Sequence, residues 1–234
     1  MAKTAGRSAV IVAHGSPADP APQQAALQAL AVRVAMWLPG WRVRGATLAA
    51  TGALEAALVG LDDPLIYPFF MAEGWFTRTN LPKRLVAAGA AGLRQLPAFG
   101  TDVAMPDLMA RVAVEGTLAA GLVPGEATLL IAAHGSQVSR ASALMTAAVA
   151  ADLAARGVFG RVAVGFVEEA PFLADAARGL GAAVCLPFFA TRAGHVAQDV
   201  PEALAEAGFG GSLLAAIGEH ADVARMIAGA LARA

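Results

Sequence analysis

The stretch Ser8-Ala9-Val10-Ile11-Val12-Ala13-His14-Gly15-Ser16 returns 120 residues later as Thr128-Leu129-Leu130-Ile131-Ala132-Ala133-His134-Gly135-Ser136. Further along, Leu65-Ile66-Tyr67-Pro68-Phe69-Phe70 is matched by Val184-Cys185-Leu186-Pro187-Phe188-Phe189 at an offset of 119. A proline and a leucine follow both copies in register: Pro82 and Leu85, then Pro201 and Leu204. Two anchors at nearly one offset mark a tandem duplication. The seam lies near residues 121–125, which divides the chain into halves 1–122 and 123–234.

Each half reads as four short apolar runs separated by helical segments. The runs are residues 9–13, 42–48, 65–69 and 99–104 in the first half, and 128–133, 161–167, 182–188 and 212–217 in the second. Between the first two runs Leu27, Leu30, Val34 and Leu38 recur at helical spacing. Near-continuous apolar strands alternating with helices imply βαβ units, hence parallel sheets covered by helices on both faces. The expected fold is α/β: two similar four-stranded domains with a cleft between them.

Composition narrows the function. Of the 234 residues, 57% are apolar and 15% charged, so a core can form and global disorder is excluded. A net charge of −1 argues against a non-specific nucleic-acid binder or a polybasic membrane anchor. One cysteine, Cys185, forbids an intrachain disulfide and a cysteine-based zinc site. It lies in an apolar run and is expected to act as a small buried hydrophobe. No run approaches the ~18 apolar residues of a membrane span, and the run ending at Ala13 is too short for a typical signal-peptide core. A soluble, cytoplasmic protein is expected. Glycine stretches such as Gly208-Phe209-Gly210-Gly211 carry no Walker or dinucleotide pattern, so neither a nucleotide nor an organic cofactor is expected.

In open parallel sheets ligands bind beyond the carboxyl ends of the strands. In the second half His134 follows the first strand, Glu168 and Glu169 follow the second, and His195 lies a few residues beyond the third. With a strand order of 2-1-3-4 these loops are neighbours. At a spacing of ~4.8 Å between strands, their side chains can converge on one small ligand. Two imidazoles and a carboxylate form a transition-metal ligand set and can also accept protons at neutral pH. Ser136 lies in Ala133-His134-Gly135-Ser136-Gln137, which is not the G-x-S-x-G elbow of a serine hydrolase.

Taken in order, Ala133-His134-Gly135-Ser136, Gly165-Phe166-Val167-Glu168, Pro187-Phe188-Phe189, Gly194-His195 and Asp199-Val200-Pro201 resemble the sirohydrochlorin cobaltochelatase/ferrochelatase family. These are the class II, ATP-independent tetrapyrrole chelatases, and the resemblance is to their long, duplicated form. It implies insertion of a divalent metal (Co²⁺, Fe²⁺ or Ni²⁺) into sirohydrochlorin or a related tetrapyrrole, in cobalamin or sirohaem biosynthesis. The alternative is a non-catalytic tetrapyrrole or metal carrier using the same cleft. By the resemblance His134, Glu168 and His195 serve as metal ligands and proton acceptors. His14, Ser136, Arg192 and Arg78 are the candidates for holding the acidic macrocycle, since arginine clamps carboxylates. The first half keeps His14 but has Ala49 near the place of Glu168 and Phe76 at the place of His195, so its site is degenerate. The carboxylate role stays open between Glu168 and Glu169, because Pro171 follows Glu168 closely.

Overall fold

The computed structural model describes residues 7–191 and 195–234, at 195 and 196 the backbone only. In chain order the elements are β1 (Ser8–Ala13), α1 (Pro20–Met36), β2 (Arg42–Thr47), α2 (Ala53–Leu58), β3 (Leu65–Pro68), α3 (Leu81–Ala87) and α4 (Met105–Ala119). They continue with β4 (Thr128–Ala133), α5 (Ala141–Ala155), β5 (Arg161–Phe166), α6 (Leu173–Ala177), β6 (Ala183–Pro187), α7 (Val200–Glu206), β7 (Ser212–Leu213) and α8 (Val223–Arg233). A five-residue π-helical turn leads into α3 (Phe76–Asn80) and another into α7 (His195–Asp199). Proline at the start of α1, α3, α4 and α7 suits the first helical turn, where its missing N–H has no partner to lose.

Two compact units emerge, Met1–Asp102 with Ala221–Ala234, and Val103–His220. Each is built on an all-parallel sheet, ordered β2-β1-β3 in the first and β5-β4-β6-β7 in the second. The second unit has the 2-1-3-4 order under which the loops after its first three strands are neighbours. In the first, the expected fourth strand at 99–104 is absent: Phe99–Thr101 forms a 3₁₀ turn. A single parallel bridge, Ile66 to Gln95, stands in its place. Pro97, two residues on, has no N–H to extend the ladder. The division also departs from a split at 122/123. The α4 helix packs on α5 and β6 in the second unit, whereas α8 packs on α1 in the first. An apolar stripe of Val223, Ala224, Ile227, Ala228 and Leu231 drives the α8 contact.

Central strands β1 and β4 are buried almost throughout, which is why they read as unbroken apolar runs. Successive side chains face opposite sides of the sheet. Leu130 and Ala132 pack with Leu173, Ala177, Val200 and Leu204, while Leu129 and Ile131 bury toward the opposite face. In the first unit Val10 and Val12 pack with Leu54, Ala57, Leu81 and Leu85. Cys185 is fully buried in β6, and loss of hydration pushes its thiol up to about 12, so it behaves as the hydrophobe expected. Among the described residues no helix is long and apolar enough to cross a membrane.

Candidate functional site

The parallel register aligns the carboxyl ends of β4, β5 and β6 at one edge: Ala133 pairs with Phe166, and Ala132 with Pro187. The ladder continues past the strands, with Val167 N–H donating to Ala133 O (3.0 Å) and Glu168 N–H to His134 O (2.9 Å). This locks the backbones of His134 and Glu168 side by side. The loop carrying Glu168 is closed behind by Phe166 N–H donating to Pro171 O at 2.9 Å.

His134 Nδ1 lies 2.9 Å from the carbonyl oxygen of Gly135. A carbonyl oxygen only accepts, so in this contact Nδ1 carries the proton and the imidazole is basic at Nε2. Glu168 Oε2 stands 3.7 Å from the same Nδ1, an ion-pair distance rather than a hydrogen bond. Both side chains are about half exposed, at 40% and 44%. A carboxylate there stabilises the imidazolium that forms when Nε2 takes a proton, and it remains hydrated enough to exchange a metal or proton with solvent. Glu169 does something different: its Oε1 accepts the Ser136 N–H at 2.8 Å, behind the loop. The two adjacent glutamates are separated by geometry, Glu168 toward the imidazole and Glu169 toward the main chain. Glu168→Gln is therefore expected to lower turnover more than Glu169→Gln, since the amide keeps an acceptor for Ser136 but removes the charge beside His134. A larger loss in Glu169→Gln, measured side by side, would reverse that assignment.

The first unit repeats the scaffold without the chemistry. Ala49 N–H donates to His14 O at 2.9 Å, the counterpart of the Glu168 bond, so Ala49 occupies the carboxylate position. His14 Nδ1 likewise lies 2.7 Å from Gly15 O. The ring of Phe76, which opens the first π-helical turn, meets the His14 imidazole edge-on at 4.4 Å.

A family model described as CbiX matches residues 128–234. The structure of CbiX, the terminal enzyme for biosynthesis of siroheme in denitrifying bacteria, is 50% identical, covers 97% of this chain and 99% of its own, and superposes with a TM-score of 0.91. The chain belongs to the CbiX family. A multi-domain protein of Deinococcus radiodurans with structural similarity to chelatases is 26% identical over 97% of this chain and 55% of its own (TM-score 0.75). SirB from Bacillus subtilis, solved with Fe³⁺, shares the fold at 15% identity over 97% and 95% (TM-score 0.76). A search of the curated proteins finds no match.

Of the other residues singled out in this CbiX-family chain, Ser136 is half-buried, and its Oγ accepts the N–H groups of Val138 (3.3 Å) and Ser139 (3.1 Å). It thus shapes the loop after His134. Arg78 is exposed on the first unit's π-helical turn. Arg192 and the His195 side chain lie outside the described residues; the His195 backbone opens the second π-helical turn. Among the described residues no three potential ligands form a metal-binding group, so His134 and Glu168 are the pair brought together. Sequence reading missed two glycines, Gly100 and Gly218, which underlie the segments leaving β3 and β6. Each donates its N–H to the second phenylalanine of a pair, Phe70 O (2.9 Å) and Phe189 O (3.0 Å). Their recurrence at nearly the repeat offset was the available signal.

Proposed function

We propose that this CbiX-family protein is an ATP-independent chelatase that inserts cobalt or iron into sirohydrochlorin or a related tetrapyrrole. The observation that carries the reading is the His134–Glu168 pair at adjacent strand ends, with Nδ1 held by the Gly135 carbonyl and the Glu168 carboxylate 3.7 Å away. Insertion needs one metal ion delivered and two pyrrole protons removed, with no redox change and no nucleotide. His134 Nε2 takes a pyrrole proton or holds the incoming ion, and Glu168 balances the positive charge this creates. His195, after β6, is proposed as the second imidazole, Arg192 and Arg78 as partners of ring carboxylates, and His14 and Ser136 as further residues that hold the macrocycle. The metal is substrate rather than a resident cofactor.

The test is an anaerobic assay of Co²⁺, Fe²⁺ and Ni²⁺ against sirohydrochlorin and protoporphyrin, followed by absorbance under turnover conditions. Many turnovers per chain with sirohydrochlorin, without ATP, are expected. Stoichiometric binding of metal or macrocycle with no turnover would identify a carrier instead.

A further inference from the structure

We infer that Glu169 is a positioning residue for the reaction, acting on His134 through the Gly135–Ser136 peptide group. The inference rests on the chelatase reading above for its effect on rate. Its geometry stands independently of that reading.

Glu169 Oε1 accepts the Ser136 N–H at 2.8 Å. In a trans peptide the C=O and N–H of one planar unit point in opposite directions. Holding the Ser136 N–H on one side therefore keeps the Gly135 carbonyl directed to the other, where its oxygen meets His134 Nδ1 at 2.9 Å. One rigid unit thus links the Glu169 carboxylate to the His134 imidazole. The negative charge on Glu169 also polarises the peptide, making the Gly135 oxygen a better acceptor. The result is a fixed tautomer, with the proton held on Nδ1. Metal-ligating histidines commonly depend on such a bond to the other ring nitrogen.

The turn is built for this contact. Gly135 has a φ of +73°, a left-handed conformation that side chains resist, and it lies flush against Glu169. A Cβ placed on Gly135 would come within 2.8 Å of Glu169 Cγ and 3.0 Å of its Oε1. Glycine lets the carboxylate seat directly on the peptide. The first unit provides an internal comparison: His14 Nδ1 meets Gly15 O at 2.7 Å with Ala50 where the second unit has Glu169, so the left-handed glycine turn forms the contact and Glu169 adds a charged anchor that holds it. The half with no carboxylate ligand also has no carboxylate on the peptide.

The experiment compares Glu169→Ala and Glu169→Gln in the full chain, using Co²⁺ insertion into sirohydrochlorin. Glu169→Ala is expected to lower kcat by about tenfold or more, with KM for sirohydrochlorin unchanged. Glu169→Gln, which keeps a carbonyl acceptor for Ser136, should restore kcat to within a few-fold of wild type. Independently of activity, ¹⁵N spectra of the histidine side chains in alkaline buffer report the tautomer. The chain has four histidines, and the His134 signals are identified by their loss in His134→Ala. His134 should be the Nδ1–H form in wild type and Glu169→Gln, and a mixture with the Nε2–H form in Glu169→Ala. A wild-type kcat or an unchanged tautomer in Glu169→Ala would overturn the inference. So would a Glu169→Gln enzyme no better than Glu169→Ala, or a loss confined to KM. If His134→Ala still inserts metal normally, the chelatase site is what fails, and the tautomer comparison alone decides the role of Glu169.

Discussion

His134→Ala is expected to reduce metal insertion at least ~100-fold while the protein stays folded, since loss of an acid–base group typically costs 10²–10⁴-fold. His134 is poised for such an effect because one contact fixes the ring and another compensates its charge. The Gly135 carbonyl holds Nδ1–H, and Glu168 stands 3.7 Å away to balance the imidazolium. Its side chain is 40% exposed, so truncation opens no sealed cavity and the cost to stability stays small. The measurement is steady-state insertion of Co²⁺ into sirohydrochlorin beside a thermal melt. A cooperative melt near the wild-type temperature with near-normal turnover would remove His134 from the reaction, and the proposed site with it.

The second large effect concerns stability. Gly218→Ala should destabilise the protein by about 2–3 kcal/mol, the upper part of the usual range for forcing atoms into a filled core. Gly218 is buried, and a Cβ built there would lie 2.0 Å from Ala190 O, 2.4 Å from its carbonyl carbon and 2.7 Å from its Cα. All three atoms are main chain, so no side-chain rotation relieves the clash. Either the 3₁₀ turn Ile217–Glu219 or the segment after Phe189 must move. For a chain of this size the loss corresponds to a fall in Tm of roughly 5–10 °C. That segment leads toward the π-helical turn opened by His195, so insertion activity should fall as well. Gly100→Ala repeats the situation in the first unit, with a Cβ 2.0 Å from Met71 O. Gly125 has nothing within 4 Å of a built Cβ and no positive φ, so Gly125→Ala should stay within about 0.5 kcal/mol of wild type. Equal melts for Gly125→Ala and Gly218→Ala would contradict this account of the packing.

The histidine-bearing strand ends are legible in the sequence, because a doubly buried parallel strand must be apolar along its whole length. The residue that ends the run then sits at the carboxyl edge of the sheet. The choice between Glu168 and Glu169 is not legible there. Both lie on a loop beyond β5, where no two-residue alternation assigns faces, and their directions follow from the turn at Gly135 and the Glu168–His134 backbone bond. The missing fourth strand of the first unit has the same origin. An apolar run at 99–104 satisfies the pattern of a strand, but the Ile66–Gln95 bridge upstream has already taken the sheet edge and Pro97 ends it.

The duplication, the parallel α/β architecture and the placing of His134 and Glu168 at strand ends are legible in the chain's covalent order alone. These are properties of covalent order and of local hydrophobic period, which repeat identically wherever the chain goes. Only the tertiary structure decided which glutamate faces His134, why Gly100 and Gly218 have no side chain, and that α8 completes the first unit while α4 belongs to the second. An apolar stripe says that a helix will be buried but not against what, and a glycine does not announce the backbone that passes over it. Such outcomes depend on close approaches between segments far apart in the chain, where tenths of an ångström in main-chain position separate a contact from a clash.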